Sequence, residues 1–373
     1  MPDYRIVEVR TRRDVKKFIQ FPDDLYKDCR QYVPALHSDQ MYSLTKVSTL
    51  KYCSQKMWMV LDGKKVVGRI CGMINPRYNE RYHTRRARFG WFDTINDMEV
   101  AKLLLGTAEA WAKENGMNEV HGPLYYNTLG KQGMVVEGFD NLPPFNCLYN
   151  YAYYNDLVTA LGYQKECDWI QYKLRADQGV SDKLRRVSAA LTEKYHLHEG
   201  SLDKLKKDKE MVKMFFKIYN ASFAEAVYNF IPFTEEEIDE EAKSTMMFVN
   251  DKISSVVMDE NENLAAFGVS FPSISEALRK CHGHLFPFGW FHLLRALHDR
   301  TTVDMMLNGA APEWQNTGVS AVFHCLIADK FRACGSKWAI TNPQIETNGA
   351  VNIWSRYDDR ELYIRRRCYI KSI

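Results

Sequence analysis

The chain opens with alternating apolar and polar residues, Tyr4-Arg5-Ile6-Val7-Glu8-Val9, the period of a strand with one buried face. Thr11, with Asp14 three residues on, precedes an amphipathic run through Phe18 and reads as a capped helix start. Two β-rich runs over residues 57–70 flank Asp62-Gly63, a hairpin signal. A basic link follows, with Arg77, Arg81, Arg85, Arg86 and Arg88, and then a strand over Phe89–Asp93. Apolar residues at Val100, Leu103, Leu104, Ala108 and Trp111 keep helical spacing until Gly116 stops the helix. Glu119–Leu124 reads as a strand, followed by a loop containing Gly130, Gly133, Pro143 and Pro144. A helix from Tyr153 to Gly162 and a strand over Trp169–Leu174 close this half.

The order then recurs. Helices are predicted over 181–195 and 208–226, and a hairpin over Lys252–Met258 and Leu264–Phe271. A strand at Val303–Leu307 leads to a helix over Gly318–Phe331, closed by Gly335. A strand at Trp338–Asn342, a short helix at Gly349–Trp354 and a strand at Tyr363–Ile370 complete the chain. One order of elements occurring twice predicts two domains, residues 1–176 and 177–373, with the break where Ala176-Asp-Gln-Gly-Val180 interrupts the pattern. An identical Phe-Gly-Trp-Phe at 89–92 and 288–291 is out of register with the helices and reads as coincidence.

A length of 373 residues agrees with two cores. With 46% hydrophobic and 26% charged residues, a disordered or collagen-like chain is excluded. Lys and Arg number 50 against 47 acids, a balance that argues against bulk nucleic-acid binding. The nine cysteines form no Cys-x-x-Cys pair and suit a reduced, cytoplasmic protein. No apolar stretch is long enough for a membrane span, and the first residues do not resemble a signal peptide. Cys281-His282-x-His284, with His292 and His298 beyond, fits no zinc spacing, so no metal is expected. The arginines between 77 and 88 read as solvated loop charges or as a site for a phosphate, an anionic headgroup or RNA. Lys204, Lys206, Lys207 and Lys209 mark an exposed helix start suited to docking an acyl carrier protein or an anionic leaflet.

The most informative stretch begins at the strand Val303–Leu307 and runs through Asn308-Gly-Ala-Ala-Pro312 and Glu313-Trp-Gln315-Asn-Thr-Gly318-Val-Ser320 into a helix. Small residues at a helix start leave backbone N–H groups and the positive end of the dipole available to an anionic phosphate. Steric need alone is the commoner reason for such residues.

Gln315-x-x-Gly318-x-Ser320, between strand and helix, resembles the acyl-coenzyme-A motif of the GNAT N-acyltransferase superfamily, Gln/Arg-x-x-Gly-x-Gly/Ala; Ser320 departs at the last place. The resemblance implies an α/β fold of two GNAT-like domains, each a mixed, mostly antiparallel central sheet flanked by helices. It further implies that two central strands splay at a bulge. The pantetheine arm would lie along Leu307, Gly309, Ala310 and Ala311, and the pyrophosphate against Gln315, Gly318, Val319 and Ser320. The matching place in the first half, Phe92-Asp93-Thr-Ile-Asn-Asp97-Met-Glu99, carries three acids that repel a pyrophosphate and suit helix-capping positions. The N-terminal half is therefore expected to lack a cofactor site of its own and to shape the acceptor pocket, with Asn127, Tyr149 and Asn150 as lining.

Phrases such as Ala108-Glu-Ala-Trp111, Gly138-Phe139-Asp140, Tyr149-Asn-x-x-Tyr153-Tyr154, Phe286-Pro-Phe-Gly-Trp and Glu346-x-Asn348 are similar to those of bacterial tandem-GNAT proteins and bacterial ceramide synthases, which N-acylate a sphingoid base. GNAT chemistry is attack of a neutral amine on a thioester, and it requires a base, an oxyanion contact and an acid for the thiolate. The resemblance implies Glu346 as base, Asn348 as orienting group and Tyr357, with Tyr363 as its rival, as acid. Acyl-CoA is then the co-substrate and an amine the acceptor, a long-chain amino alcohol included, in the cytoplasm or at the surface of the inner membrane. Two other readings stay open. One is a Fem-type transferase drawing on aminoacyl-tRNA, with RNA held by the arginines of 77–88. The other is a non-catalytic tandem GNAT protein that binds a ligand or partner.

Overall fold

In the computed structural model, which describes residues 2–224, 228–245, 249, 251–357 and 359–373, the predicted strands and helices of the first half are present. They are β1 (Tyr4–Glu8), α1 (Arg12–Leu25), α2 (His37–Thr45), β2 (Ser54–Asp62), β3 (Lys65–Ile74), α3 (Pro76–Tyr82), β4 (Arg86–Thr94), α4 (Met98–Glu114), β5 (Glu119–Gly122), β6 (Met134–Glu137), α5 (Tyr153–Ala160) and β7 (Gln164–Arg175). Thr11 and Asp14 form the anticipated reciprocal cap of α1. The basic link contains a short helix instead of only a loop: Asn75 accepts from the Tyr78 amide and Pro76 occupies the first turn of α3.

The second half continues with α6 (Asp182–Lys194), β8 (His198–Glu199), α7 (Leu202–Leu205), α8 (Lys209–Phe223), α9 (Glu235–Thr245), β9 (Ser255–Met258), β10 (Leu264–Pro272), α10 (Ser275–Cys281), α11 (Gly289–His298), β11 (Thr302–Ala310), α12 (Ser320–Ala333), β12 (Trp338–Ile340), β13 (Gln344–Ile345) and β14 (Arg360–Ser372). The helix predicted to 226 is described to Phe223, and residues 225 and 226 lie outside the described residues. Asn308, Gly309 and Ala310 continue β11 and do not turn, because each pairs with a residue of β10. The two Phe-Gly-Trp-Phe copies take different structures, strand in β4 and the start of α11.

Two compact units emerge, and neither is a contiguous half. The first comprises Met1–Trp169, Ile274–Leu293 and Ile364–Ile373; the second comprises Ile170–Ser273 and Leu294–Tyr363. A single break near 176 does not divide the chain this way, because β7 and β14 each contribute to both units. In the first unit, β1, β2, β3 and β4 are antiparallel, β4 and β5 are parallel, and β14 lies antiparallel to β5. In the second, β8, β9, β10 and β11 are antiparallel, β11 and β12 are parallel, and the end of β7 lies antiparallel to β12. Each short parallel strand thus has its outer edge covered, which leaves no exposed backbone there.

The repeat extends to packing. In the first unit the apolar face of α4, with Val100, Leu104 and Ala108, joins Val60, Val67 and Ile70 of the hairpin. In the second, Val322, Phe323 and Ile327 of α12 join Val257, Ala265 and Ala266. A glycine admits each helix. A Cβ on Gly68 would stand 2.7 Å from Leu104 Cδ1, and one on Gly268 would stand 2.3 Å from Ile327 Cδ1. Gly268→Ala is therefore expected to destabilise the protein by about 1–3 kcal/mol through overpacking. A lowered urea midpoint that Ile327→Val partly restores is the expected measurement.

Candidate active site

The parallel strands of the second unit pair at Thr302–Trp338, Val303–Ala339 and Asp304–Ile340, and no farther. On its other edge β11 stays with β10 to Ala310, through a register shift that leaves Met306 as an extra residue. Beyond Asp304, β11 therefore has a backbone edge with no strand on the β12 side among the described residues. The chain next makes a 3-10 turn over Pro312–Trp314, passes Asn316 at φ +62° and Gly318 at φ +88°, and enters α12 at Ser320.

No side chain caps α12. The Val319 amide donates to Thr317 Oγ1, that of Ala321 to the Gly318 carbonyl, and that of Val322 to the Val319 carbonyl. The amides of Gly318 and Ser320 reach no acceptor among the described residues. Unengaged N–H groups at the positive end of a helix form a site for an anion. Gly318 adopts a backbone conformation that disfavours side chains, although the nearest atom to an added Cβ, Leu191 Cδ1, is 3.5 Å away.

The other residues singled out by sequence fall in different settings. Leu307, Gly309 and Ala310 lie on the half-paired strand. The amide of Ala311 is already given to the Ala265 carbonyl, and the residue is buried. The Gln315 side chain donates to the Ser222 carbonyl, 3.1 Å away, while Ser222 Oγ donates to the Ala310 carbonyl. Gln315 thus fastens the turn to α8. Val319 is buried. Glu346 and Asn348 are half-buried just after β13, and the Asn348 carbonyl accepts from Val351 at the start of the 3-10 helix Gly349–Arg356. Tyr357 shares a core with Val319, Val322, Phe323 and Trp354, and its hydroxyl is 2.9 Å from His324 Nδ1. Burial lowers the His324 imidazole to about 3, so it is neutral at physiological pH. Burial also raises the Tyr357 hydroxyl above its ordinary value. Tyr363 is half-buried, with the Lys173 ammonium 5.9 Å from its ring centre.

No family model matches the chain. It is 29% identical over 380 residues to Protein YghO of Escherichia coli (strain K12), covering 97% of this chain and 94% of that protein. It is 27% identical over 297 residues to a bacterial ceramide synthase of Caulobacter vibrioides, covering 78% and 76%. Among solved structures, a tandem GNAT protein from the clavulanic acid biosynthesis pathway matches with a TM-score of 0.58 at 11% identity, over 99% of this chain and 98% of that one. The chain has the tandem GNAT fold. A GCN5-related N-acetyltransferase from Sphaerobacter thermophilus gives a TM-score of 0.56 at 8% identity, over 100% and 96% of the two chains.

In the first unit, the helix that corresponds to α12 is α4, and its start is filled. Asp97 Oδ1 accepts from the amides of Glu99 and Val100, at 2.9 and 3.4 Å. Asp93, expected to serve a helix start as well, instead lies in β4 and forms a buried pair with Arg69 at 2.7 Å. It also accepts from the Tyr26 hydroxyl. This unit has its own irregularity beyond the paired part of β4: Trp91 stands at φ +45°, stacked on Tyr125 at 3.6 Å and donating to Gln40 Oε1.

A small polar cleft lies within this unit, bordered by Asp23, Tyr32, Arg69, Asp93, Lys131 and Tyr149. Of the proposed lining residues, Tyr149 borders it. Asn127 instead accepts from the amides of Leu129 and Gly130, and Asn150 exchanges hydrogen bonds with Val135 of β6; both hold backbone. Burial lowers the Lys131 ammonium to about 8. Sequence reasoning passed over Arg69 and Lys131; the one signal was an arginine inside the otherwise apolar run Val66-Val-Gly-Arg-Ile70.

The arginines of the basic link serve structure as well. Arg86 pairs with Glu119 and Glu166, and Arg88 donates to the carbonyls of Tyr125 and Tyr126. Neither is a solvated loop charge. Among the described residues, His121, Glu166 and Cys368 bring potential metal-ligand atoms within 4.8 Å of one another. Arg86 already supplies a cation to Glu166, and burial raises the Cys368 thiol, so the group holds together as a hydrogen-bonded network.

Asp304 was not anticipated. It ends the paired part of β11 with 1% of its surface exposed. Neither carboxyl oxygen meets hydrogen-bond geometry, although the Ser273 hydroxyl lies near enough to favour the charged form. Burial outweighs that help and pushes the carboxyl up to about 7. The folded state thus holds this proton more tightly than the unfolded chain does. The stability it contributes is complete below about pH 4 and is lost as pH rises through about 7. Asp304→Asn is expected to flatten that decline, gaining a few kcal/mol over the wild type between pH 4 and 8 in urea unfolding. An unchanged pH slope would contradict this.

Proposed function

We propose that the protein is an acyl-coenzyme-A-dependent N-acyltransferase whose acceptor is the amine of a long-chain amino alcohol. The observation that carries the reading is the uncapped start of α12, which follows by one 3-10 turn a strand that loses its parallel neighbour past Asp304. A strand edge without a partner suits the amides of a pantetheine arm, and the Gly318 and Ser320 amides suit a pyrophosphate. The relative named bacterial ceramide synthase supports an acceptor of this class, since a ceramide is the N-acyl amide of a long-chain amino alcohol.

In the reaction, the neutral amine attacks the thioester carbonyl. A C–N bond forms, the C–S bond breaks, the amine's proton passes to a base, and the thiolate leaves and is protonated. We assign Glu346 as the base, Asn348 as the group that orients substrate, and Tyr357 as the proton donor. Asp304 is the second candidate base, because it sits where β11 and β12 part and burial raises its carboxyl toward neutrality. The engagement of Arg86 and Arg88 within the first unit takes two of the five arginines away from an RNA-binding, tRNA-dependent reading.

Coenzyme A, acetyl-coenzyme A and palmitoyl-coenzyme A are each expected to raise the melting temperature, most of all the long-chain thioester. A ligand at a hundred times its Kd adds about 2.7 kcal/mol. Equal shifts for all three would remove the lipid acceptor but leave the transferase, and no shift with any would contradict the reading. Gly318→Val is expected to abolish the shifts while leaving the unliganded protein folded. Glu346→Gln is expected to lower kcat by roughly 10²–10⁴-fold with coenzyme A affinity unchanged; wild-type turnover would move the base to another residue.

A further inference from the structure

Large apolar side chains are rarely exposed in clusters on a soluble protein. Among the described residues nine such side chains are exposed, and five of them fall within nine consecutive positions: Phe286 at 79%, Phe288 at 73%, Trp290 at 45%, Phe291 at 54% and Leu294 at 51%. They occupy the loop before α11 and the first turns of that helix, of which only Gly289 is buried. Trp290, Phe291 and Leu294 are spaced to share one face.

We propose that this segment docks the protein onto a bilayer surface that contains anionic phospholipid. The segment is preorganised for that task. The His284 amide donates to the Cys281 carbonyl, that of Trp290 to Leu285, and that of Phe291 to Phe288, while the His37 amide anchors the loop through the Gly283 carbonyl. The Trp290 indole N–H donates to the Pro287 carbonyl at 2.9 Å. The ring therefore carries no unsatisfied donor into an apolar medium, where one would be costly. Aromatic residues with their polar atoms satisfied are well placed at the boundary between headgroups and acyl chains.

Charge selects the occupant. From Lys280 to His298 the chain has no aspartate or glutamate, and Lys280 and Arg295 are exposed. Two copies of this chain meeting at the patch would set cation against cation, whereas an anionic leaflet complements both the apolar tips and their cationic border. Docking of this kind goes beyond the transferase reading and does not depend on it, since it needs neither coenzyme A nor an intact Glu346.

The test is co-sedimentation of the full chain with vesicles of phosphatidylcholine alone or with about a third phosphatidylglycerol. The wild type is expected to pellet with the anionic vesicles and to be released by high salt. The triple variant Phe286→Ser, Phe288→Ser, Phe291→Ser is expected to lose at least about tenfold in partitioning while keeping the wild-type melting temperature, since all three rings are exposed. Arg295→Glu is expected to weaken binding to anionic vesicles and leave neutral ones unaffected. Pelleting of the triple variant like the wild type would place membrane contact elsewhere and overturn the proposal. So would a wild type that stays in the supernatant, or a wild-type dimer in light scattering that the triple variant dissociates, which would assign the patch to a second copy.

Discussion

The two units differ most plainly in how a helix start is satisfied. A helix leaves its first amides without internal partners, and at the end of a buried strand those amides must meet a side chain, water or a ligand. In the first unit the carboxylate of Asp97 meets them. In the second, Thr317 Oγ1 engages only the Val319 amide, and among the described residues the amides of Gly318 and Ser320 reach no acceptor. One carboxylate thus stands where an anion would bind. A repeated architecture has one unit with a capped helix start and one whose helix start lacks a cap.

The strands bring this about. In each unit a short parallel pair, Arg86–Glu119 to Arg88–His121 or Thr302–Trp338 to Asp304–Ile340, stops after three registers, and an irregular residue follows in the longer strand. A glycine in the neighbouring strand, Gly68 or Gly268, lets the helix seat closely enough for its start to fall at that point. Asp304 shows the cost of the arrangement: a carboxyl buried at the parting of the strands, carried with its proton near neutral pH.

Much of this was legible in the residues. The hairpin at Asp62-Gly63, the capping box at Thr11 and the glycine-terminated helices rest on local chemistry, and local chemistry decided them. The twofold order of elements was legible because each unit needs the same amphipathic parts. What was not legible depends on contacts far apart in sequence. The assignment of residues 274–293 and 364–373 to the first unit is set by pairing such as Tyr369 with Gly122, which no window along the chain displays. Arg86, Arg88, Asp93 and Asn150 looked like loop, helix-start or pocket residues because their partners lie elsewhere in the fold. The exposed aromatic segment read as a family phrase, since a sequence pattern does not tell a buried ring from an exposed one.

The most direct measurement is amide hydrogen exchange of the full chain with and without saturating acyl-coenzyme A. If the open helix start of the second unit holds the phosphates, protection will concentrate in peptides spanning Met305 to Val322, with Gly318 and Ser320 slowed most. Peptides around Asp97 at the start of α4 will exchange as before. Protection centred on residues 93–101, or none at 305–322 under conditions where the ligand is bound, would contradict the account.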